Sequence, residues 1–141
     1  MLKSCLYKCI FIAAITFVIV PSVFSQEMEF YNLYFDGNSC YSKKQYSKAI
    51  TYYNKALEIH SDKDFLYFNR GNSKLALNNY KGAIADYNKT LALNNKYAEA
   101  YYQRALIKFK KGNKESGCED LKTAKKLELS GVSNDIKKHC K

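Results

Sequence analysis

The chain repeats itself at an interval of 34 residues, and that period constrains its fold more than any other feature. A shift of 34 carries Gly37 to Gly71, Tyr46 to Tyr80, Ala49 to Ala83, Ile50 to Ile84, Tyr53 to Tyr87 and Leu57 to Leu91. Asn54-Lys55 becomes Asn88-Lys89, and residues 46–57 match residues 80–91 at seven of twelve positions without a gap. A second shift reaches Tyr101, Arg104, Ala105 and Asn113 from Tyr67, Arg70, Gly71 and Asn79. The third copy is weaker in its second half, where Gly117 and Leu121 replace Ala83 and Tyr87. A period of this length marks a stack of small units, none of which can bury its apolar face alone.

Each unit reads as two helices and a tight turn. Phe65, Phe68 and Leu75 recur at helical steps, as do Tyr80, Ala83, Ile84, Tyr87 and Leu91. Asn78-Asn79 and Gly112-Asn113 punctuate the pairs, since Asn and Gly accept left-handed backbone. The pattern predicts helices near 27–42, 46–59, 64–77, 80–93, 97–111, 114–128 and 133–139. A single Pro in 141 residues suits this, because Pro removes a helix donor. Asp62 or Ser61 is expected to cap the third helix. In the last one Ser133 is the expected cap, Asp135 favours the dipole of the first turn, and Ile136 is the expected anchor.

The period, the small residue at the eighth position and the Tyr-x-x-Ala-Ile-x-x-Tyr second helix resemble the tetratricopeptide repeat over about residues 30–129. The resemblance implies an all-α fold: a right-handed superhelix of three helix-turn-helix units plus a short C-terminal capping helix. The units fall at about 30–63, 64–97 and 98–131, with the cap at 133–141. Small residues at the eighth and twentieth positions let paired helices approach, here Gly37, Gly71, Ala105 and Ala49, Ala83, Gly117. The family's usual Trp-x-x-Leu-Gly is replaced by Leu33-x-x-Asp36-Gly37 and Tyr67-x-x-Arg70-Gly71, and the Pro that often ends a repeat by Ser61 and Asn95.

The first 25 residues read as an export signal. Lys3 and Lys8 precede an apolar run, Cys9 to Val20, and small residues stand at Val23 and Ser25. The run is about a dozen residues where a spanning helix needs about 20. Cleavage after Ser25 is therefore expected, leaving residues 26–141 as one periplasmic or secreted domain without a transmembrane span; retention as an N-terminal anchor is the alternative. The formal charge of +10 falls to +8 without those two lysines. Residues 108–141 hold ten Lys against five acids, an excess that serves either as a solvated face or as an anion-binding surface.

The family resemblance also places a ligand groove on the concave face of the first helices. By register it is lined by Tyr34, Asn38, Tyr41, Phe68, Asn69, Asn72, Tyr102, Gln103 and Phe109. Amides bond to peptide backbone and rings supply area at low entropic cost, so the partner class implied is an extended peptide of another protein. The clamp that some members use for a C-terminal carboxylate has its two Asn positions in Asn38 and Asn69. Its basic positions, however, are Tyr34, Glu99 and Gln103. Of the cysteines, Cys118 and Cys140 either bond, closing the cap, or stay buried as small apolar residues; Cys40 is expected in the core. His60 and His139 have no spaced ligand partners, and no phosphate loop or nucleophile–base set stands out, so neither metal nor cofactor nor enzyme is expected. The reading is a non-enzymatic adaptor. A binder of anionic polymers through the C-terminal lysines and a structural subunit of a larger assembly are the alternatives. Glu115, Glu119, Asp120 and Glu128 interrupt those lysines and make nucleic acid an unfavoured partner.

Overall fold

A computed structural model of the chain describes residues 23–141, which form seven helices and no strand. They are α1 (23–42), α2 (Tyr46–Ile59), α3 (Asp64–Ala76), α4 (Tyr80–Leu93), α5 (Ala98–Lys110), α6 (Lys114–Lys126) and α7 (Val132–His139). The expected export signal lies mostly outside the described residues. The described part of α1 starts at residue 23, ahead of the expected 27, so it includes the expected cleavage point. No helix among the described residues is long and apolar enough to cross a membrane.

The helices stack in sequence order, each packed on the next, with α3 on α4 and α5 on α6 as antiparallel pairs. The turn inside each pair has one residue in left-handed backbone: Lys44 (φ 59°), Asn78 (φ 58°) and Gly112 (φ 78°), 34 residues apart. Asn and Gly take this conformation at little steric cost, whereas Lys44 is held there by its neighbours. Asn79 then caps α4, its side chain accepting the Gly82 N–H at 3.0 Å.

Why small residues recur is clear from the crossings. A Cβ on Gly37 would stand 2.6 Å from Tyr53 Cε1, and one on Gly71 2.8 Å from Tyr87 Cε1. Both rings come from the second helix of their unit and are essentially fully buried. In the third unit the roles exchange. Ala105 replaces the glycine of α5, Leu121 replaces the tyrosine of α6, and the Phe109 ring of α5 lies over Gly117, 2.6 Å from where a Cβ would be. Knob and hole swap helices while the crossing persists, which accounts for the third copy's departure from the pattern.

A second repeated feature ties one unit to the next. Arg70 on α3 donates two hydrogen bonds to Asp86 on α4, Nε to Oδ2 at 3.0 Å and Nη2 to Oδ1 at 2.6 Å, and one from Nη1 to Asn54 Oδ1 on α2 at 2.7 Å. Lys74 Nζ reaches the same carboxylate at 2.7 Å. Thirty-four residues on, Arg104, Asp120, Asn88 and Lys108 repeat the arrangement atom for atom. Asp120 holds the Arg104 guanidinium charged, pushing its pKa further up by direct hydrogen bonding, against the cost of burial. No buried side-chain polar atom among the described residues lacks a partner.

Two expected caps are corrected. The residue before α3 is Lys63, and neither Ser61 nor Asp62 caps it; Asp64 instead accepts its neighbour's N–H, from Phe65 at 2.7 Å. The residue before α7 is Gly131 in left-handed backbone (φ 83°), so Ser133 lies inside the helix and caps nothing. The principal anchor of α7 is Val132, 1% exposed, with Ile136 only partly buried. The reason is register: Val132 stands 34 residues after Ala98, so α7 takes the place that a first helix holds in the preceding units. It is fastened by a disulfide from Cys140 to Cys118 on α6, with Cα atoms 5.6 Å apart. Cys40 is free and half-buried beside the first core cluster.

Two outcomes are expected. Replacing Asp86 with Ala leaves Arg70 and Lys74 facing each other without a counter-charge, and urea unfolding should show a loss of about 3–5 kcal/mol. For Cys140→Ser the loss should be about 3 kcal/mol under oxidising conditions and near zero with reductant present, because a closed loop of this length constrains the unfolded chain by roughly that amount. Equal losses in both conditions would assign Cys140 to packing alone.

Candidate functional site

The groove residues expected from register fall into two groups. Asn38, Tyr41, Asn69 and Asn72 converge, with Ser42 and Tyr53, on one open depression of about 200 Å³ between α1 and α3. Four of the remaining five are engaged elsewhere. Tyr34 packs edge-on against Phe65, centroids 5.0 Å apart. Phe68 lies against Tyr87 and Tyr97 at 5.8 and 4.7 Å. Tyr102 donates its hydroxyl to Asp135 Oδ2 on α7 at 3.0 Å, and Phe109 stacks on His139 at 4.7 Å. Gln103 is half-buried on α5. The cap helix thus sits against both aromatic positions assigned to the third unit.

The depression has a fixed polarity. The Tyr53 hydroxyl donates to Asn38 Oδ1 at 2.8 Å, and Asn69 Nδ2 donates to the same oxygen at 3.3 Å. In the next unit the Tyr87 hydroxyl donates to Asn72 Oδ1 at 2.7 Å. With both carbonyl oxygens occupied by protein donors, the amide N–H groups of Asn38 and Asn72 are the atoms left to meet a ligand. Burial pushes the phenols of Tyr53 and Tyr87 well above the usual tyrosine value, so both stay donors across the accessible pH range. The same rings fill the helix crossings, so the core sets the orientation of the site. Tyr41, at the mouth, has its phenol raised by partial burial and then by Tyr46, whose ring stands 5.4 Å away.

Register reasoning alone did not reveal this coupling. Tyr53 was legible as a repeated aromatic, but its role as the donor that orients Asn38 depends on a contact between residues 15 apart. The Arg–Asp–Lys–Asn network was also missed, although its four members recur at 34: Asn54/Asn88, Arg70/Arg104, Lys74/Lys108 and Asp86/Asp120. No group of metal-binding side chains occurs among the described residues.

Comparison with known proteins identifies the repeat. The family profile described as TPR repeat matches residues 37–77 and 71–112, and the one described as tetratricopeptide repeat matches 98–130. Among curated proteins none matches the chain. Solved structures similar to it include the first TPR of Spaghetti (RPAP3) bound to the HSP90 peptide SRMEEVD. That likeness is 25% in sequence, with a TM-score of 0.75, covering 80% of this chain and 91% of that one. The TPR domain of Arabidopsis OM64 is similar at 22% identity and TM-score 0.76, covering 80% and 95%. The second TPR domain of human RPAP3, in complex with the HSP70 peptide SGPTIEEVD, is similar at 21% and 0.75, covering 82% and 98%.

A pH titration checks the buried tyrosines. Tyr97, raised to about 12 by burial, by Glu99 and by Asp64, joins Tyr53 and Tyr87 in holding its proton more tightly when folded than unfolded. The unfolded chain therefore loses protons first above about pH 10, and stability falls as pH rises from there. Phenolate absorbance should show the exposed tyrosines ionising first, with the buried ones appearing only together with loss of helical circular dichroism. Full ionisation of all 13 tyrosines with helicity intact would overturn the assignment.

Proposed function

The chain belongs to the tetratricopeptide repeat family, and from that premise we propose that it is an exported adaptor whose concave face holds an extended segment of a partner protein. Its family and neighbours support a protein–protein interaction module. The finer reading rests on one observation: the oriented amides of Asn38, Asn69 and Asn72 around a single depression, with Tyr41 and Ser42 at its edge. Amide N–H groups presented in a row complement the carbonyl acceptors of an extended backbone, and a nearby ring adds apolar area.

Neighbouring structures hold peptides ending in Glu-Glu-Val-Asp. Here the clamp for such a carboxylate keeps its Asn positions but has Tyr34, Glu99 and Gln103 in place of cations, and Tyr34 is committed to Phe65. Glu99 would repel an acidic terminus. The ligand we favour is therefore not a heat-shock tail. Export rests on the basic start, the short apolar run and the small residues before Gln26, and a disulfide at the cap suits an oxidising compartment.

The alternatives draw less support. Two of the C-terminal lysines are occupied, Lys108 by Asp120 and Lys114 by the Lys141 carbonyl at 2.7 Å, which weakens an anionic-polymer reading. A unit stacked before α1 would meet Asn32, Asp36 and Ser39, which occupy the places of the buried Leu66, the stapling Arg70 and the buried Ser73. One stacked beyond α7 would meet Ser133, Lys137 and Lys138, all exposed. Polar end faces suit a free-standing module better than a link in a longer repeat assembly.

Affinity capture from the exported fraction of the native cells, beside a Tyr41→Ala, Asn69→Ala, Asn72→Ala variant, tests the proposal. Retention of one protein by the natural chain and its loss with the variant is expected. Capture unaffected by the groove changes but abolished by high salt would move the working surface to the lysines.

A further inference from the structure

The two junctions of the groove differ in chemistry, and the difference specifies a ligand. The first junction is lined by Asn38, Tyr41, Ser42, Asn69 and Asn72. Thirty-four residues on, the corresponding positions are Asn72, Leu75, Ala76, Gln103 and Leu106. Tyr41 and Asn72 have thus become leucines, and a second cavity of about 260 Å³ opens there, lined by Leu75, Asn78, Tyr80, Leu106, Ile107 and Lys110. Its size is below the roughly 300–1,000 Å³ of small-molecule sites and fits a single side chain.

Lys110 gives this cavity a sign. Lys74 and Lys108, on the neighbouring turns of α3 and α5, are each held by a buried carboxylate at 2.7 Å. Lys110 instead rests its ammonium over the Tyr80 ring, 4.7 Å from the centroid, and against the Tyr80 hydroxyl. Neither partner carries a formal charge, so the ammonium at the mouth of an apolar seat is available to a carboxylate. Ile107, 1% exposed, closes the floor.

Building on the peptide-groove reading above, we infer that the partner segment carries a large apolar side chain next to an Asp or Glu. The apolar side chain enters between Leu75 and Leu106, and the carboxylate meets Lys110. Asn72 belongs to the first depression and Leu75, one helical turn on, to the second. Adjacent packed helices lie about 8–10 Å apart, which an extended peptide spans in about three residues at roughly 3.3 Å each. The segment therefore places an uncharged stretch, read through its backbone by the asparagines, about three residues from the apolar–acidic pair. A side-chain carboxylate is favoured over a chain terminus because a single ammonium faces the seat, and the basic positions of the terminal clamp are absent.

The probe is an array of acetylated, amidated nine-residue peptides in a Gly/Ser/Asn background. Leu or Phe alternates with Ala at one position, and Glu or Asp alternates with Gln or Asn at the next. The full natural chain should bind peptides carrying both features about tenfold more tightly than those lacking either. Leu106→Asn, which installs the residue found at the equivalent place in the second unit, should erase the apolar preference. Lys110→Gln should erase the acidic preference alone, and Lys110→Arg should keep it. Unchanged helical melts show that each variant folds. If Asn72→Ala abolishes binding while Leu106→Asn and Lys110→Gln leave both preferences intact, the apolar–acidic seat is wrong and the groove stands. If none of the three changes binding, both readings fall. Binding only to peptides with a free C-terminus would assign the carboxylate to the chain end and overturn the inference.

Discussion

The crossing of paired helices at a residue without a side chain is the contact on which the rest of the structure depends. Rings from Tyr53, Tyr87 and Phe109 lie where Cβ atoms of Gly37, Gly71 and Gly117 would otherwise be, within 2.6–2.8 Å of those positions. Close approach lets each ring reach across the pair, and its burial supplies much of the apolar area that a two-helix unit can offer. Overpacking at such a point forces off-rotamer side chains and typically costs about 1–3 kcal/mol, more than the roughly 1 kcal/mol a glycine gains in helix propensity when changed to alanine. That balance keeps glycine at positions where helix propensity alone would reject it.

The consequences of the crossing reach the surface. Because the Tyr53 and Tyr87 rings cross their units, their hydroxyls emerge on the far side beside Asn38 and Asn72, whose carbonyl oxygens they occupy. One side chain thus fills a hole and orients an amide. In the third unit the ring comes from α5 and has no hydroxyl, Leu121 takes the tyrosine's place, and Leu106 stands where an asparagine would need orienting. The loss of the amide and the loss of its donor occur together, which is physically consistent: an asparagine there would have no phenol to hold it.

Much of this was legible in the sequence, and the reason is translational symmetry. A 34-residue period reports the helix pairs, the turn at Asn78 and Gly112, and the small residues at the crossings, because each is imposed by the same local packing three times. What escaped was of two kinds. Helix ends are decided by single residues, so Lys63 and Gly131 stand where better caps were expected at Asp62 and Ser133, and Val132 outranks Ile136 as anchor through register with Ala98. Positions that face the groove in a generic unit are redirected by whatever packs next to them. Phe68 turns to Tyr97, Tyr34 to Phe65, and Tyr102 and Phe109 to the cap.

The Arg–Asp–Lys–Asn staple shows how a repeat protein couples units that are each too small to stand alone. Arg70 and Arg104 bond to a carboxylate in their own unit and to an asparagine in the preceding one, so they report on both at once. A bidentate guanidinium does this where an ammonium could not, since its fork fixes direction as well as charge. Continued one period toward the N-terminus, the arginine position holds Asp36; continued one period on, Lys138. Neither can complete the fork, so the staple does not extend past these positions, and both side chains present charge to solvent instead. Asparagines line one junction and leucines the next, so under the peptide-groove proposal the contrast would give an extended ligand a direction.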